Sequence, residues 1–253
     1  ISWVSSIQYQ GKTMGPLSLT IEYILSDTFF NGAKMTLLLT IVSVFFGIVV
    51  GLIIAIMQEI QNKYLDYIVV VYLWFFRGTP VLFQIIFIYN VLPSFGIYLS
   101  SFASGVLALS LNEGAYISEI MRAGIQSVAK GQRTAATALA MKEWQVMRYV
   151  VVPQALRVII PPIGNQFIGM LKLSALVSVV AVEELLLVAN QAASSNFRYL
   201  EALMAAGVYY LLFTTVFMYI QGHIEFWAKG GRLRARRDKE VKAEIAIERT
   251  EVR

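Results

Sequence analysis

Residues 35–57 read MTLLLTIVSVFFGIVVGLIIAIM, an apolar run interrupted only by Gly, Ser and Thr. A helix needs about 20 mostly apolar residues to cross a hydrocarbon core of roughly 30 Å, so Met35–Met57 predicts a membrane-spanning helix. Three further segments fit the same template. Phe102–Ile125 carries Glu113 and Glu119, Pro161–Val182 carries Lys172, and Leu203–Ile224 is almost wholly apolar. A fifth region, Tyr64–Leu92, is apolar but broken by Arg77-Gly78-Thr79-Pro80. Proline removes a helix hydrogen bond and disfavours helix at the residue before it. This region therefore predicts a helix, a break and a second segment, with one net crossing. The expected fold is an all-α membrane protein with about five transmembrane helices.

Composition agrees. Of 253 residues, 57% are hydrophobic and 15% charged, and mean hydropathy is +0.64. Soluble domains carry about 25% charged residues, which this chain cannot supply. With no Cys and a single His, His223, disulfides, thiolate metal sites, cysteine nucleophiles and histidine clusters are excluded. No metal site is expected.

Lys and Arg set the orientation, because cytoplasmic loops accumulate them. With the N-terminus outside, Lys63, the loop bearing Arg122, Lys130, Arg133, Lys142, Arg148 and Arg157, and the tail after residue 228 all lie inside. Only Lys12, Lys34 and Arg198 fall outside, while Arg77 and Lys172 fall within spans. The expected topology is N-out, C-in. Residues 1–228 form the membrane domain, with a cytoplasmic loop at about 126–160, and residues 229–253 form a charged cytoplasmic tail of the kind that anchors at an anionic leaflet. The first thirty residues lack a basic segment, an apolar core and a small-residue cleavage site in succession, so no signal peptide is expected.

Catalytic motifs are missing. Gly11-Lys12-Thr13 resembles the end of a phosphate-binding loop, but Ser6 stands where the first glycine belongs and no strand is expected before it. No catalytic residue is assigned. Gly47-x-x-x-Gly51 marks a close approach of two helices, a packing feature rather than a functional one.

The informative stretch is the loop Gly131–Pro153. It is helix-prone, with Ala135, Ala136, Leu139 and Met147 as a compact apolar side, Trp144 and Tyr149 as aromatic anchors, and Arg133, Lys142 and Arg148 keeping other faces wet. Two short helices meeting near Ala140–Met141 would make a protruding knob. Pattern alone leaves two readings: an interfacial helix lying on lipid, or a docking element whose small residues allow close approach and whose aromatic and Met side chains fill pockets.

This loop resembles the "EAA" loop of permease subunits in binding-protein-dependent ABC importers. The matching positions are Thr134-Ala135-Ala136, Ala140 and Val150-Val151-Val152-Pro153. Its surroundings resemble the polar amino acid permease family: Arg77-Gly78-Thr79-Pro80 with Gln84, Gly114-Ala115-Tyr116 with Glu119, Arg122-x-Gly124-Ile125, Pro153-Gln154-Ala155, Asn165-Gln-Phe-Ile168, Leu171-Lys172 and Glu183-Glu184-Leu185. The resemblance implies a type I importer permease fold and a multi-pass protein of the bacterial plasma (inner) membrane. It also implies a second permease chain, identical or homologous, two cytoplasmic ATPases and an extracytoplasmic substrate-binding protein. ATP and Mg would be used by the ATPase, and this chain would bind no cofactor and perform no catalysis. Thr134, Ala135, Ala136, Leu139, Ala140, Met141, Trp144 and Met147 would meet the ATPase. Two positions depart from the family pattern: Thr134 replaces its acidic residue and Ala140 its glycine. If the turn requires a positive φ, Ala140 is strained.

Ionisable groups within spans are costly, about 2.5–3.5 kcal/mol on insertion scales, and usually face protein or a water-filled path. For Arg77, Glu119 and Lys172 structural pairing is the expectation, with attraction of a substrate carboxylate the alternative for Arg77. Glu113 is an equal candidate for contacting an amino group or cationic side chain, and it shares a helix face with Tyr116. Asn112, Glu113, Tyr116, Arg77, Gln84 and Lys172 are the candidate residues of a substrate path. The rival class is an ATP-independent channel or secondary carrier for small polar solutes. Such carriers usually show inverted repeats, and no repeat is visible here.

Overall fold

The computed structural model describes residues 8–9, 12–13, 15–60 and 62–228. The charged tail 229–253 and half of the Ser6–Thr13 segment lie outside the described residues. Among the described residues, ten α-helices run in chain order: α1 Pro16–Leu25, α2 Asp27–Glu59, α3 Lys63–Gly78, α4 Val81–Val91, α5 Ser101–Gln126, α6 Lys130–Ala138, α7 Glu143–Gln145, α8 Val152–Leu173, α9 Leu185–Asn196 and α10 Tyr199–Ala228. The described chain is nearly all helical. One correction to the expected absence of a strand concerns the N-terminal segment, where Gln8–Tyr9 pairs antiparallel with Lys12–Thr13. This minimal ladder supplies neither the strand nor the helix of a phosphate-binding motif.

Five spans were expected; among the described residues three helices, or four with the bent pair taken as one span, are long and apolar enough to cross a membrane. α2, the run Glu143–Val180 that contains α8, and α10 are each long and apolar enough to cross a membrane, and α3 with α4 passes as a pair bent by 104°. The bend falls at the expected break. α3 ends at Gly78, Thr79 adopts an extended backbone at its C-cap, and Pro80 precedes α4. α5, at 26 residues, is long enough to span but less apolar. Its Ser104, Ser110, Asn112, Glu113 and Ser118 are buried, so these side chains turn from the surroundings into the protein.

The large apolar side chains show the complementary pattern. Phe45, Ile53, Val70, Trp74, Leu211 and Tyr219 are among many that are exposed, an arrangement that suits lipid rather than water.

The chain divides into two compact units. In the first, residues 1–122 and 166–217, one core joins Leu19, Tyr23 and Phe29 to Leu185, Val188, Ala205 and Ala206. A second core joins Leu39, Val44, Ile85, Leu109, Met170 and Val177. Small residues bring α2 against α5: a Cβ at Gly51 would lie 2.6 Å from Ile117, and one at Gly114 would lie 2.6 Å from Val50. The Gly47-x-x-x-Gly51 pair thus performs the packing role its spacing implies. α9 is capped by buried Glu184, which accepts from the Leu186 and Leu187 amides at 2.9 and 2.7 Å and from the Tyr210 hydroxyl at 3.0 Å. These bonds satisfy amides that a helix start leaves orphaned.

In the second unit, residues 123–165 and 218–253, α6, α7 and a single π-helical turn, Val146–Val151, lead into α8. Pro161 and Pro162 sit inside α8. Gln221 donates to the Pro161 carbonyl at 2.6 Å, and Gly164 leaves room for its amide.

Candidate functional site

Within the first unit, a cavity of about 310 Å³ is lined by Thr79, Pro80 and Val81 from the break, Asn112, Glu113 and Tyr116 from α5, and Gln166, Gly169, Met170 and Leu173 from α8. The α8 positions follow i, i+3, i+4, i+7 spacing, which places them on one helical face. Asn112 and Glu113 are buried and Tyr116 is partly exposed. Glu113 is only 2% exposed, and its Oε1 has no hydrogen-bond partner. Gln166 approaches the same carboxyl group. A buried polar atom without a partner forfeits about 1–3 kcal/mol, so Glu113 Oε1 is an acceptor in want of a donor. A Cβ at Gly47 would lie 3.0 Å from the Cβ and Cγ of Glu113. α2 therefore abuts the stem of the glutamate and limits its freedom.

The break that forms one wall is held by an amide network. Gln84 Nε2 donates to the Phe76 and Thr79 carbonyls at 3.0 and 3.2 Å and to the Thr79 hydroxyl at 2.9 Å. Asn112 Nδ2 donates to the Phe76 carbonyl at 2.9 Å and to Gln84 Oε1 at 3.1 Å. Carbonyls freed where a helix stops need donors when no water is near, and these two side chains supply them. Gln84 is buried behind the break and does not line the cavity. Asn112 both lines the cavity and braces the break.

Arg77 lies elsewhere. With Leu73, Trp74, Gly78 and Tyr116 it lines a second, more open cleft of about 410 Å³. Its guanidinium is 3.6 Å from Glu119 Oε2 and 5.8 Å from the centre of the Tyr116 ring. Glu119 also accepts from Arg122 at 2.8 and 3.1 Å and from Gln58 at 3.2 Å. Arg77 and Glu119 thus occur in a structural ion cluster, with Tyr116 common to the cleft and the cavity. Lys172 is exposed, lines neither, and has no ion pair recorded among the described residues.

In the second unit, α6 and α7 form the expected knob. α6 closes with Met141 N–H donating to the Ala136 carbonyl at 3.3 Å and Ala140 N–H to that of Thr137 at 2.9 Å. This is the Schellman pairing, whose turning residue is most often glycine. Here it is Ala140, at φ 58°. Arg133 Nη2 ties α6 to the Ile125 carbonyl at 3.0 Å, and the Lys142 amide donates to Gln145 Oε1 at 2.8 Å at the start of α7. The Thr134 hydroxyl donates to the Lys130 carbonyl of its own helix at 3.1 Å.

Of the knob residues singled out in the sequence, Ala136 is buried within the knob, while Met141 and Met147 are half-buried. Ala135 and Thr134 are exposed. Leu139 is 79% exposed and Trp144 57%, and Trp144 lies 6.2 Å from the exposed ring of Tyr149. The surface on offer is therefore Ala135, Leu139, Trp144 and Tyr149, supported from within by Ala136 and Val146.

Residues 47–230 match the family described as binding-protein-dependent transport system inner membrane component. The chain belongs to that family. It is a permease subunit of an ATP-driven importer and a multi-pass inner-membrane protein. The glutamine transport system permease GlnP of Escherichia coli K12 is 37% identical over 197 residues, covering 77% of this chain and 90% of GlnP. The arginine transport system permease ArtQ of Bacillus subtilis 168 is 35% identical over 196 residues, with the same shares. A solved amino acid ABC transporter with histidines is 40% identical, with a TM-score of 0.78, covering 85% of this permease and 99% of that chain.

Gln166 is the lining residue that sequence reasoning left without a role. The available signal was its face, since residues 166, 169, 170 and 173 repeat at helical spacing with a polar and a small residue among them.

Proposed function

We propose that this permease carries polar amino acids inward across the membrane, N-out and C-in, along a path formed with a second permease chain. The exposed Leu139–Trp144 knob docks a cytoplasmic ATPase, and an extracytoplasmic binding protein delivers the substrate. The observation that supports this most is the polar cavity at Asn112, Glu113, Tyr116 and Gln166 in a helical protein whose outward faces are apolar. A polar solute crossing lipid requires such a lined interior. α8 runs from just beyond the knob to the cavity-lining residues Gln166–Leu173, so one helix joins the docking element to the path along the chain. This chain contributes no catalytic residue; nucleotide hydrolysis belongs to the partner, whose closure would move the knob and switch the path.

The test is uptake into proteoliposomes holding the permease with its ATPase and binding protein. ATP-dependent accumulation of a polar amino acid, with substrate-stimulated ATP hydrolysis, is expected. Equal accumulation without ATP would favour a channel or secondary carrier instead.

A further inference from the structure

We propose that the cleft at Arg77 is a second station on the transport path, where the guanidinium takes the carboxylate of the amino acid. The inference rests on the amino acid permease reading and deepens it. The cleft, of about 410 Å³, is lined by Leu73, Trp74, Arg77, Gly78 and Tyr116, a volume in the range of ordinary small-molecule sites. Among these lining residues Arg77 alone is charged.

The protein uses Arg77 incompletely. Glu119 is an acceptor shared with Arg122 and Gln58, which hold its carboxylate at 2.8, 3.1 and 3.2 Å. Arg77 stands off at 3.6 Å, beyond hydrogen-bond reach, and makes no hydrogen bond among the described residues. Arg77 and Arg122 against the one Glu119 carboxylate leave this cluster with a net charge of +1. The Arg77 side chain is 46% exposed, and a guanidinium presents its N–H donors in a fork that matches a carboxylate. The Tyr116 hydroxyl likewise has no hydrogen-bond partner among the described residues. The cleft thus offers an anion two sets of free donors.

Two features favour the carboxylate of a transported molecule over other anions. Tyr116 lines the cavity as well as the cleft, so the two spaces share one wall, and a molecule displaced past that ring passes from one to the other. Leu73 and Trp74 lie one helical turn before Arg77 and Gly78, on the same face of α3. They give the cleft an apolar side for the methylenes of an amino acid. Every amino acid carries the same carboxylate, so this station reads the main-chain end and is indifferent to the side chain. Gly78 keeps it open, since a Cβ there would meet nothing within 4 Å.

That open space and the absence of cysteine from the chain supply the test. Gly78→Cys places a thiol in the cleft of the intact complex of permease and ATPase, held in phosphatidylcholine nanodiscs, with labelling read on the permease band. A sulfonate-bearing methanethiosulfonate is expected to react about fivefold faster than its trimethylammonium counterpart, both normalised to a free thiol, as for an exposed charge pair. L-Arginine and L-glutamine are each expected to slow the labelling, while agmatine, which is arginine without its carboxyl group, is not. Arg77→Gln should remove both the sulfonate preference and the protection. Equal protection by agmatine, no protection by either amino acid, or effects that persist in Arg77→Gln would overturn the proposal. So would labelling that slows with added phosphatidylglycerol and ignores amino acids, which would assign the cleft to a lipid phosphate. If Arg77→Gln does not fold, the comparison of arginine with agmatine on Gly78→Cys decides alone. Failure of the importer reading has a different signature: no ATP-driven uptake of any amino acid. ATP-driven uptake beside a thiol that no amino acid protects refutes only the second station.

Discussion

Replacing Ala140 by glycine should stiffen the knob. Ala140 occupies the left-handed turn position that closes α6, at φ 58°, where a side chain costs roughly 1–2 kcal/mol. Glycine removes that strain but has more freedom to lose on folding, about 0.5–1 kcal/mol. The net stabilisation is about 0.5–1 kcal/mol, which slows local opening by about two- to fivefold. The assay is amide hydrogen exchange of the purified permease, followed on peptides covering residues 136–142. Those peptides contain the Ala140 and Met141 amides that close the turn onto Thr137 and Ala136. Ala140→Val should do the reverse, because a β-branched residue is a conformational outlier at positive φ. Unchanged or faster exchange in Ala140→Gly would refute the reasoning, since the left-handed turn would then carry no strain.

Three further outcomes are expected. Gly164→Ala puts a Cβ 1.6 Å from Gln221 Oε1 and drives that amide off the Pro161 carbonyl. Leaving a polar group unsatisfied costs about 1–3 kcal/mol, so the thermal midpoint should fall, whereas Gly207→Ala in α10, with open space around the new methyl, should leave it unchanged or raise it. Glu119→Ala deprives Gln58, Arg77 and Arg122 of a shared acceptor. Because that side chain is 26% exposed, the loss should lie near about 1.5 kcal/mol, the lower end for charge-assisted hydrogen bonds, read as a lower midpoint in detergent. Leu139→Glu and Trp144→Asp change exposed knob side chains; both should abolish co-purification of the ATPase while membrane insertion and the thermal midpoint stay near wild type.

Local rules made parts of this fold readable. Pro80 after Thr79 was enough to predict where α3 stops, and the Gly47–Gly51 spacing was enough to predict a tight helix contact. The turn at Ala140 was readable from two helix-prone stretches meeting there, together with the resemblance to a family that has glycine at that place. Other features depend on groups far apart in the chain. Gln84 was a candidate path residue, singled out with the Arg77-Gly78-Thr79-Pro80 motif. It satisfies the carbonyls of Phe76 and Thr79, and only the fold brings Asn112 onto the same network. Glu119 pairs with Arg122 three residues on, which helical spacing supports, but its contact with Arg77 joins different helices. Ala136 illustrates a limit of composition: beside exposed Ala135 in the same small-residue run, it faces inward, because successive helical residues point about 100° apart. Substitution at Ala136 would therefore disturb the knob itself, and Leu139 and Trp144 are the cleaner probes of docking.

The decisive experiment exploits the absence of cysteine from the chain. Leu139→Cys introduces one thiol at the exposed tip of the knob, to be treated in membrane vesicles of known sidedness with an impermeant maleimide and with a short bifunctional crosslinker. Labelling from the cytoplasmic face, together with a crosslink to the nucleotide-hydrolysing chain, is the expected result. Labelling only from the opposite face, or a cytoplasmic thiol that crosslinks to no ATPase, would contradict the assignment of this knob as the coupling element.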